Sequence, residues 1–356
     1  MSRQLDNLRQ QALAFAGELA DASLARPTTR EQWLEVLARL NKRGWLGGGL
    51  KDLSEAGAVL EGLARGGADA GIPMTLTVHF IMALWVLGNF CPEQSDQVLG
   101  SGGLCCMAAS EPKVGSHPRK IQTRAVLDGE RWKLTGTKVF TTGGPLASHL
   151  LVLAVCGESG EGRDLGLFLV PTSDPGVRVE EMPTHPGLEA ALHGATTFEN
   201  ATAIARLGGT GTAKNGWSQI VRPFRQWEDS LLQSWVAGLA WYQTRAALPG
   251  LEKHGISELL RGRLIACTEA LATLARDAAA SLLDEQAGVS RESLIARRYS
   301  FFEMLRAMEA LVSEVRGALP DAPPSELAAL QGLFNQLRFA ARSRETLLAQ
   351  AARLPG

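Results

Sequence analysis

The stretch Ala109-Ser110-Glu111-Pro112-Lys113-Val114-Gly115-Ser116 opens the region whose reading decides the fold. Arg124-Ala125-Val126-Leu127-Asp128-Gly129 follows it, and then Leu134-Thr135-Gly136-Thr137-Lys138-Val139-Phe140-Thr141-Thr142. Between about 105 and 205 short β-rich runs succeed one another: Ile121 to Leu127, Trp132 to Leu134, His149 to Val155, Leu165 to Val170, Val177 to Met182 and Thr196 to Phe198. Turn residues separate them at Asp128-Gly129, Gly143-Gly144-Pro145, Gly157 to Gly162 and Asp174-Pro175-Gly176. Glycine tolerates the positive φ of tight turns and proline withholds a ladder donor, so each cluster punctuates the strands. Strands at this spacing with no helices between them predict an antiparallel sandwich or barrel. They exclude a Rossmann sheet, which needs strands and helices in alternation.

Outward from this β domain, over 105–206, the hydrophobic period becomes helical on both sides. Residues 1–104 read as an N-terminal helical domain, with an apolar stripe at Leu34, Leu37 and Leu40 and a break at Gly44 to Gly49. Residues 207–356 read as a C-terminal four-helix bundle. Its stripes are Trp227, Leu231, Trp235, Leu239 and Tyr242; Leu260, Leu264, Cys267, Leu271, Leu274 and Ala278; Phe302, Leu305, Met308, Val312 and Val315; and Leu327, Leu330, Phe334, Leu337 and Ala341. Pro323-Pro324 marks the start of the last helix. The fold class is therefore α+β: helices, an antiparallel β domain, then a bundle.

Composition excludes several functions. The 36 basic and 37 acidic residues leave a net charge of −1, and no Lys/Arg run is present to neutralise a nucleic-acid backbone. The cysteines, Cys91, Cys105, Cys106, Cys156 and Cys267, lack metal-binding spacing, so they read as reduced core thiols and no metal is expected. The N-terminus carries charges throughout and reads as a helix rather than a signal peptide, which predicts a cytoplasmic protein. Ala70 to Pro92 has no charged residue, but Pro73, Thr75, Thr77, His79 and Asn89 dilute it, so a buried helix is expected in place of a membrane span.

Ala109 to Ser116 resembles the T-E-P-x-A-G-S-D signature of the acyl-CoA dehydrogenase family, and Leu134 to Thr142 resembles that family's l-x-G-x-K-x-x-I-T stretch. Gly187-Leu188, Thr197-Phe198-Glu199-Asn200 and Leu207-Gly208 to Gly216-Trp217 continue the likeness in the same order. The resemblance implies FAD as cofactor, an acyl-CoA thioester as substrate and an electron-transfer flavoprotein or similar acceptor. It also implies a homodimer or homotetramer, or a heteromer with an intact homologue. A flavin ring needs donors for its polar edge and an aromatic wall for its face. Ser110 and Thr142 supply hydroxyls, backbone amides near Ala109 and Thr141 supply donors, and Phe140 supplies the wall; by resemblance these positions contact the flavin, with Ser116 beside them. Read without the resemblance, Ser110-Glu111-Pro112 is a turn and Phe140 a core aromatic.

The family's chemistry removes a proton next to the thioester carbonyl, and most relatives carry the glutamate that does so in a Y-E-G-T motif on the last long helix. The matching region here, Gln336 to Ala341, has no carboxylate. A minority of relatives place it at the start of the first bundle helix in an E-R pair with a glycine ten residues on. Glu228-Asp229 and Gly238 match that pattern, so Glu228 is the candidate base. Its plain reading is a first-turn acid that the helix dipole stabilises by about 0.3–1 kcal/mol. Of the patch that holds the flavin's adenine half in relatives, only Arg245 remains. His79 is expected to pack in its helix and His117 to be solvated. Three functions follow: an acyl-CoA dehydrogenase, a degenerate partner subunit of a heteromer, or a monooxygenase or binding protein on the same fold.

Overall fold

The computed structural model describes residues 2–100, 102–159, 162–183, 188–286 and 291–319. It forms two compact units that interleave along the chain. One comprises Arg26–Leu53 and Gly71–Glu228; the other draws on Met1–Ala25, Ser54–Ala70 and Asp229–Gly356.

The first unit holds the sheet. Its strands are β1 (Leu104–Ala108), β2 (Arg124–Asp128), β3 (Arg131–Thr142), β4 (Ala147–Ser159), β5 (Gly162–Pro171), β6 (Val177–Glu181), β7 (His193–Thr202) and β8 (Ala205–Leu207). They run in the order β6-β7-β3-β2-β4-β5-β8, with β1 paired to β4. The expected antiparallel pairing holds for most of the sheet, but β1 lies parallel to β4, and β2 meets β4 in parallel at Arg124 and Val155. Two strands are longer than their apolar runs predict: β3 has 12 residues where Trp132 to Leu134 was legible, and β7 has 10. Polar residues in both are paired across the ladder, so backbone bonding extends them past the apolar signal. Leu150 to Val155 on β4 and Leu167 to Val170 on β5 are buried without alternation, the pattern of a sheet covered on both faces.

Helices α1 (Ser2–Asp21), α2 (Arg30–Lys42), α3 (Leu53–Arg65) and α4 (Gly71–Ile81) precede the sheet. A capping box at Thr29 and Gln32 starts α2. The buried face of α2 is Trp33, Val36, Leu37 and Leu40, whereas Leu34 is exposed. Of the expected row, Leu37 and Leu40 lie on the buried face, and Trp33 takes the place expected of Leu34. Trp33 explains the shift, because its ring is fully buried and its Nε1–H donates to the Ala190 carbonyl at 2.8 Å. The uncharged segment continues from α4 through a π-helical turn, Met82–Leu87, into α5 (Gly88–Phe90), ahead of α6 (Pro92–Gly100). Gly71–Phe90 is long and apolar enough to span a membrane, yet 83% of its most apolar window is buried inside the protein. His79 is buried there, with Nε2–H donating to the Leu46 carbonyl at 3.0 Å and Nδ1 accepting from the Cys105 amide at 3.1 Å. Burial holds its imidazole down to about 4, so it stays neutral and joins two elements.

Helix α7 (Arg222–Lys253) opens in the first unit, which runs to Glu228, and from Asp229 onward it belongs to the second, with the long helices α8 (Glu258–Gln286) and α9 (Arg291–Gly317). The α9 stripe of Phe302, Leu305, Met308, Val312 and Val315 is buried throughout, and Leu231, Trp235 and Leu239 are buried on α7. Tyr242, expected on the same stripe, is 43% exposed. The fourth stripe, Leu327 to Ala341, and the Gln336 to Ala341 region lie outside the described residues. Glu61 on α3 is buried and accepts from Arg9 at 2.7 Å and from Arg276 at 2.8 Å, tying α1 and α8 to α3. Gly238 on α7 admits close approach, because a Cβ there would stand 2.6 Å from the Glu61 carbonyl oxygen and 2.7 Å from the Ala64 Cβ.

Candidate functional site

Glu111 organises the loop that follows β1. Its amide and carbonyl exchange hydrogen bonds with Gly115, both at 3.0 Å, closing a tight turn. Its carboxylate, with a side chain only 4% exposed, accepts from the Gln122 amide at 2.7 Å, the Thr123 amide at 2.9 Å and the Thr123 hydroxyl at 2.6 Å. The Lys138 ammonium, fully buried on β3, donates to the same carboxylate at 2.8 Å and to the Ala109 carbonyl at 3.2 Å. Gly136, two residues earlier, has φ +151, and a Cβ there would lie 2.7 Å from the Thr123 Cα. Only glycine lets β3 pass this close to the loop.

Burial pushes the Glu111 carboxyl up, but the hydrogen bonds from Lys138 and Thr123, with the lysine's charge, outweigh it and leave the group below its ordinary range. Burial pulls the Lys138 ammonium down to about 8, against the opposing pull of Glu111. The pair therefore remains charged near neutrality; Lys138 fastens the loop to β3, and Glu111 fastens it to the Gln122-Thr123 segment ahead of β2.

The next two residues of β3 turn this attachment into a cavity wall. Val139 N–H donates to the Ser110 carbonyl at 2.9 Å. The register against β7 then slips between Lys138 and Thr141, a β-bulge, and Phe140 takes φ +56 within it. Positive φ in an aromatic residue is a costly conformation that persists only where neighbours over-determine it, and it commonly marks a functional position. Here the Phe140 amide donates to the Met182 sulfur at 3.3 Å, and the residue is 54% exposed. The bulge turns outward a ring that strict alternation along β3 would direct elsewhere.

A cavity of about 320 Å³ lies against this strand. Ala109, Ser110 and Ser116 from the loop, Phe140 and Thr142 from β3, and Glu228 from α7 all line it. Val78 on α4, Met107 on β1, and Trp217, Val221 and Phe224 complete the apolar walls, and Arg222 and Arg225 add two cations. Sequence reasoning missed both arginines, since no motif points to them. Their spacing before Glu228 was the signal available.

Glu228 is not a first-turn acid. A π-helical turn, Trp217–Val221, runs directly into α7, and Glu228 stands six residues beyond the start of that helix. Dipole stabilisation falls off within the first turn, so it does not account for this glutamate. The preceding residue fixes its place: the Trp227 ring is buried and stacks on Trp85 at 4.3 Å with an interplanar angle of 22°. Glu228 itself is half-buried.

Two other expected positions lie apart from the lining. Thr141 is buried beside it, with a hydroxyl that has no hydrogen-bond partner. Arg245 belongs to the other compact unit, where its guanidinium sits 5.4 Å from the Trp241 ring centroid and 4.0 Å from Glu269. His117 is exposed and its Nδ1 accepts from the Arg119 amide, while Glu189 pairs with Arg26 at 2.7 Å. Cys91, Cys105 and Cys106 are buried and Cys156 and Cys267 half-buried, all as free thiols.

The residues present fit the head of a flavin. A flat ring system needs an aromatic face and hydroxyl or amide donors at one edge, and Phe140, Ser110 and Thr142 provide these around a cavity within the size range of small-molecule sites. They provide for the ring and not for a whole dinucleotide.

Comparison with known proteins bears on the same region. A model of the acyl-CoA dehydrogenase middle domain matches residues 106–201. Cyclohexane-1-carbonyl-CoA dehydrogenase of Geobacter metallireducens is 43% identical over 76 residues, which is 21% of this chain and 20% of that protein. The mitochondrial short-chain specific acyl-CoA dehydrogenase of Bos taurus is 31% identical over 145 residues, 40% of this chain and 35% of that one. The chain thus spans about a third or less of the length of these relatives. Among solved structures, the FAD complex of PigA superposes with a TM-score of 0.78 over 100% of this chain and 99% of its own, at 19% identity. That likeness carries the fold.

Proposed function

We propose that this chain, a member of the acyl-CoA dehydrogenase family through its middle β domain, is an FAD-dependent oxidoreductase that introduces a double bond next to the carbonyl of an acyl-CoA thioester. The observation that carries the reading is the convergence of Ala109, Ser110, Ser116, Phe140, Thr142 and Glu228 on one cavity. Three separate stretches of sequence supply them.

FAD, when bound, would supply the hydride acceptor, and Phe140 would offer an aromatic wall for its ring. Ser110 and Thr142 would orient the ring's polar edge, and the buried Lys138–Glu111 pair fastens the loop that carries Ser110 to the strand that carries Thr142. Glu228 takes the proton from the carbon next to the thioester carbonyl onto its carboxylate oxygen. Phe224 and Val78 give the cavity apolar walls beside that carboxylate. The acceptor of the electrons is an electron-transfer flavoprotein or a protein like it, in the cytoplasm.

A second reading is a partner subunit that completes its cofactor site with another chain. Arg245, the one residue retained from the adenine-contacting patch, is engaged by Trp241 and Glu269 and does not line the cavity. Reconstitution of the purified chain with FAD separates the two. Stoichiometric flavin retained through gel filtration supports a self-sufficient dehydrogenase. Retention only after co-expression with a homologue supports the partner subunit, and retention in neither case contradicts both.

A further inference from the structure

Glu228 reaches the cavity from a helix, and a helix aims its side chains by its rotation about its own axis. Successive residues stand about 100° apart around that axis, so whatever holds Trp227 also sets the direction of Glu228. Trp227 is 5% exposed, and its ring stacks on Trp85 at 4.3 Å with 22° between the planes. Trp85 is held in turn. Its ring meets Phe90 edge-on at 5.9 Å, and its carbonyl accepts from the Gly88 amide and, at 2.7 Å, from the Asn89 side chain. Neither Trp85 nor Trp227 is among the residues that line the cavity, so the stack touches neither substrate nor ring.

Both π-helical segments among the described residues adjoin this contact. Trp85 lies within Met82–Leu87, and Trp217–Val221 runs into α7 while giving Trp217 and Val221 to the cavity wall. Such a turn holds one extra residue and so rotates every later side chain, which is why π-helical turns are frequent where a side chain must be aimed. The helical segment that bears Trp85 also carries Val78 about two turns earlier, and α7 carries Phe224 about one turn before Trp227; both line the cavity. A helical carboxylate stands about 6 Å from the helix axis, so a rotation of about 10° carries it about 1 Å. At the reacting atoms a misplacement of that size costs on the order of 10²-fold in rate. We propose that Trp85 is a positioning residue for proton removal: by stacking on Trp227 it fixes the rotation of α7, and with it the approach of the Glu228 carboxylate to the carbon next to the thioester carbonyl. The proposal rests on the dehydrogenase reading above. In the step it serves, a C–H bond breaks, the proton passes to a Glu228 oxygen and the electron pair stays on the substrate as its enolate.

The test is the anaerobic bleaching rate of the full chain loaded with FAD, using whichever of butanoyl-, isobutanoyl- and octanoyl-CoA bleaches the native protein fastest. At saturating thioester Trp85→Leu should bleach on the order of 10²-fold more slowly, with the half-saturating concentration and the FAD affinity kept. Trp85→Phe, which retains a stacking ring of smaller area, should fall between the two. Deuterium on the carbon next to the carbonyl should slow Trp85→Leu by a larger factor than it slows the native protein, because proton removal has become the harder step. In a Glu228→Gln background Trp85→Leu should add no further loss, since the carboxylate it positions is gone. A native rate in Trp85→Leu overturns the proposal and leaves the dehydrogenase reading standing. So does a fall in FAD or thioester affinity that tracks the rate, or an undiminished loss in the Glu228→Gln background, because either assigns the stack to structure. Should Trp85→Leu fail to fold, a native rate in Trp85→Phe overturns the proposal, and failure of both variants to fold assigns Trp85 to the core and does the same. Bleaching of the native protein by none of the thioesters overturns the dehydrogenase reading and this inference with it.

Discussion

Lys138 has no exposed surface, and its charge is tolerated because Glu111 and the Ala109 carbonyl replace the water it has lost. Breaking such a pair from one side leaves an uncompensated buried charge. Lys138→Met should therefore lower unfolding stability by about 3–5 kcal/mol, measured by denaturant titration. The carboxylate side has a pH signature. Glu111 ionises below its ordinary value in the folded state, so its contribution is complete above the unfolded value near 4.5 and is lost as pH falls through the depressed folded value. The denaturation midpoint of the native protein should drop on acidification below about 4.5, and Glu111→Gln, less stable at neutral pH, should lose less over that same interval. An unchanged acid profile in the variant would contradict the role given to the pair.

At the scale of elements, the bulge in β3 and the α3–α7 contact each set one preference against another. Phe140 has φ +56 in the bulge, so Phe140→Gly removes both the backbone strain and the aromatic wall. Stability measured by thermal melting should hold or rise, while FAD affinity measured by fluorescence titration should fall. A parallel fall in both would show that the ring is a structural residue. Gly238 lies inside α7, where alanine ordinarily gains about 1 kcal/mol of helix propensity. The carbonyl 2.6 Å from its Cβ position reverses that sign. Gly238→Ala should lose about 1–3 kcal/mol, the usual cost of overpacking. These elements also mark how far the sequence could be read. The apolar runs of β4 and β5 and the stripe of α9 were legible because burial alone makes them. The parallel strand β1, the slip of α2 from Leu34 to Trp33 and the full length of β3 were not, because each depends on a partner distant in the chain. Of the site, the loop, Phe140, Thr142 and Glu228 were legible through ordered motifs. Arg222 and Arg225 carry no motif and became visible only as neighbours of a cavity.

For the whole molecule, the proposed function carries the expectation of self-association, so light scattering should give a dimer or tetramer; a folded monomer would contradict that expectation. The proposed chemistry requires a flavin ring in this cavity beside Glu228, and anaerobic titration of the FAD-loaded chain with acyl-CoA thioesters tests that most directly. Absorbance in the flavin bands should bleach with a suitable thioester. In Glu228→Gln, bleaching should slow by about 10²–10⁴-fold while FAD remains bound. Bleaching at the native rate in that variant, or none in the native protein with any thioester, would contradict the account.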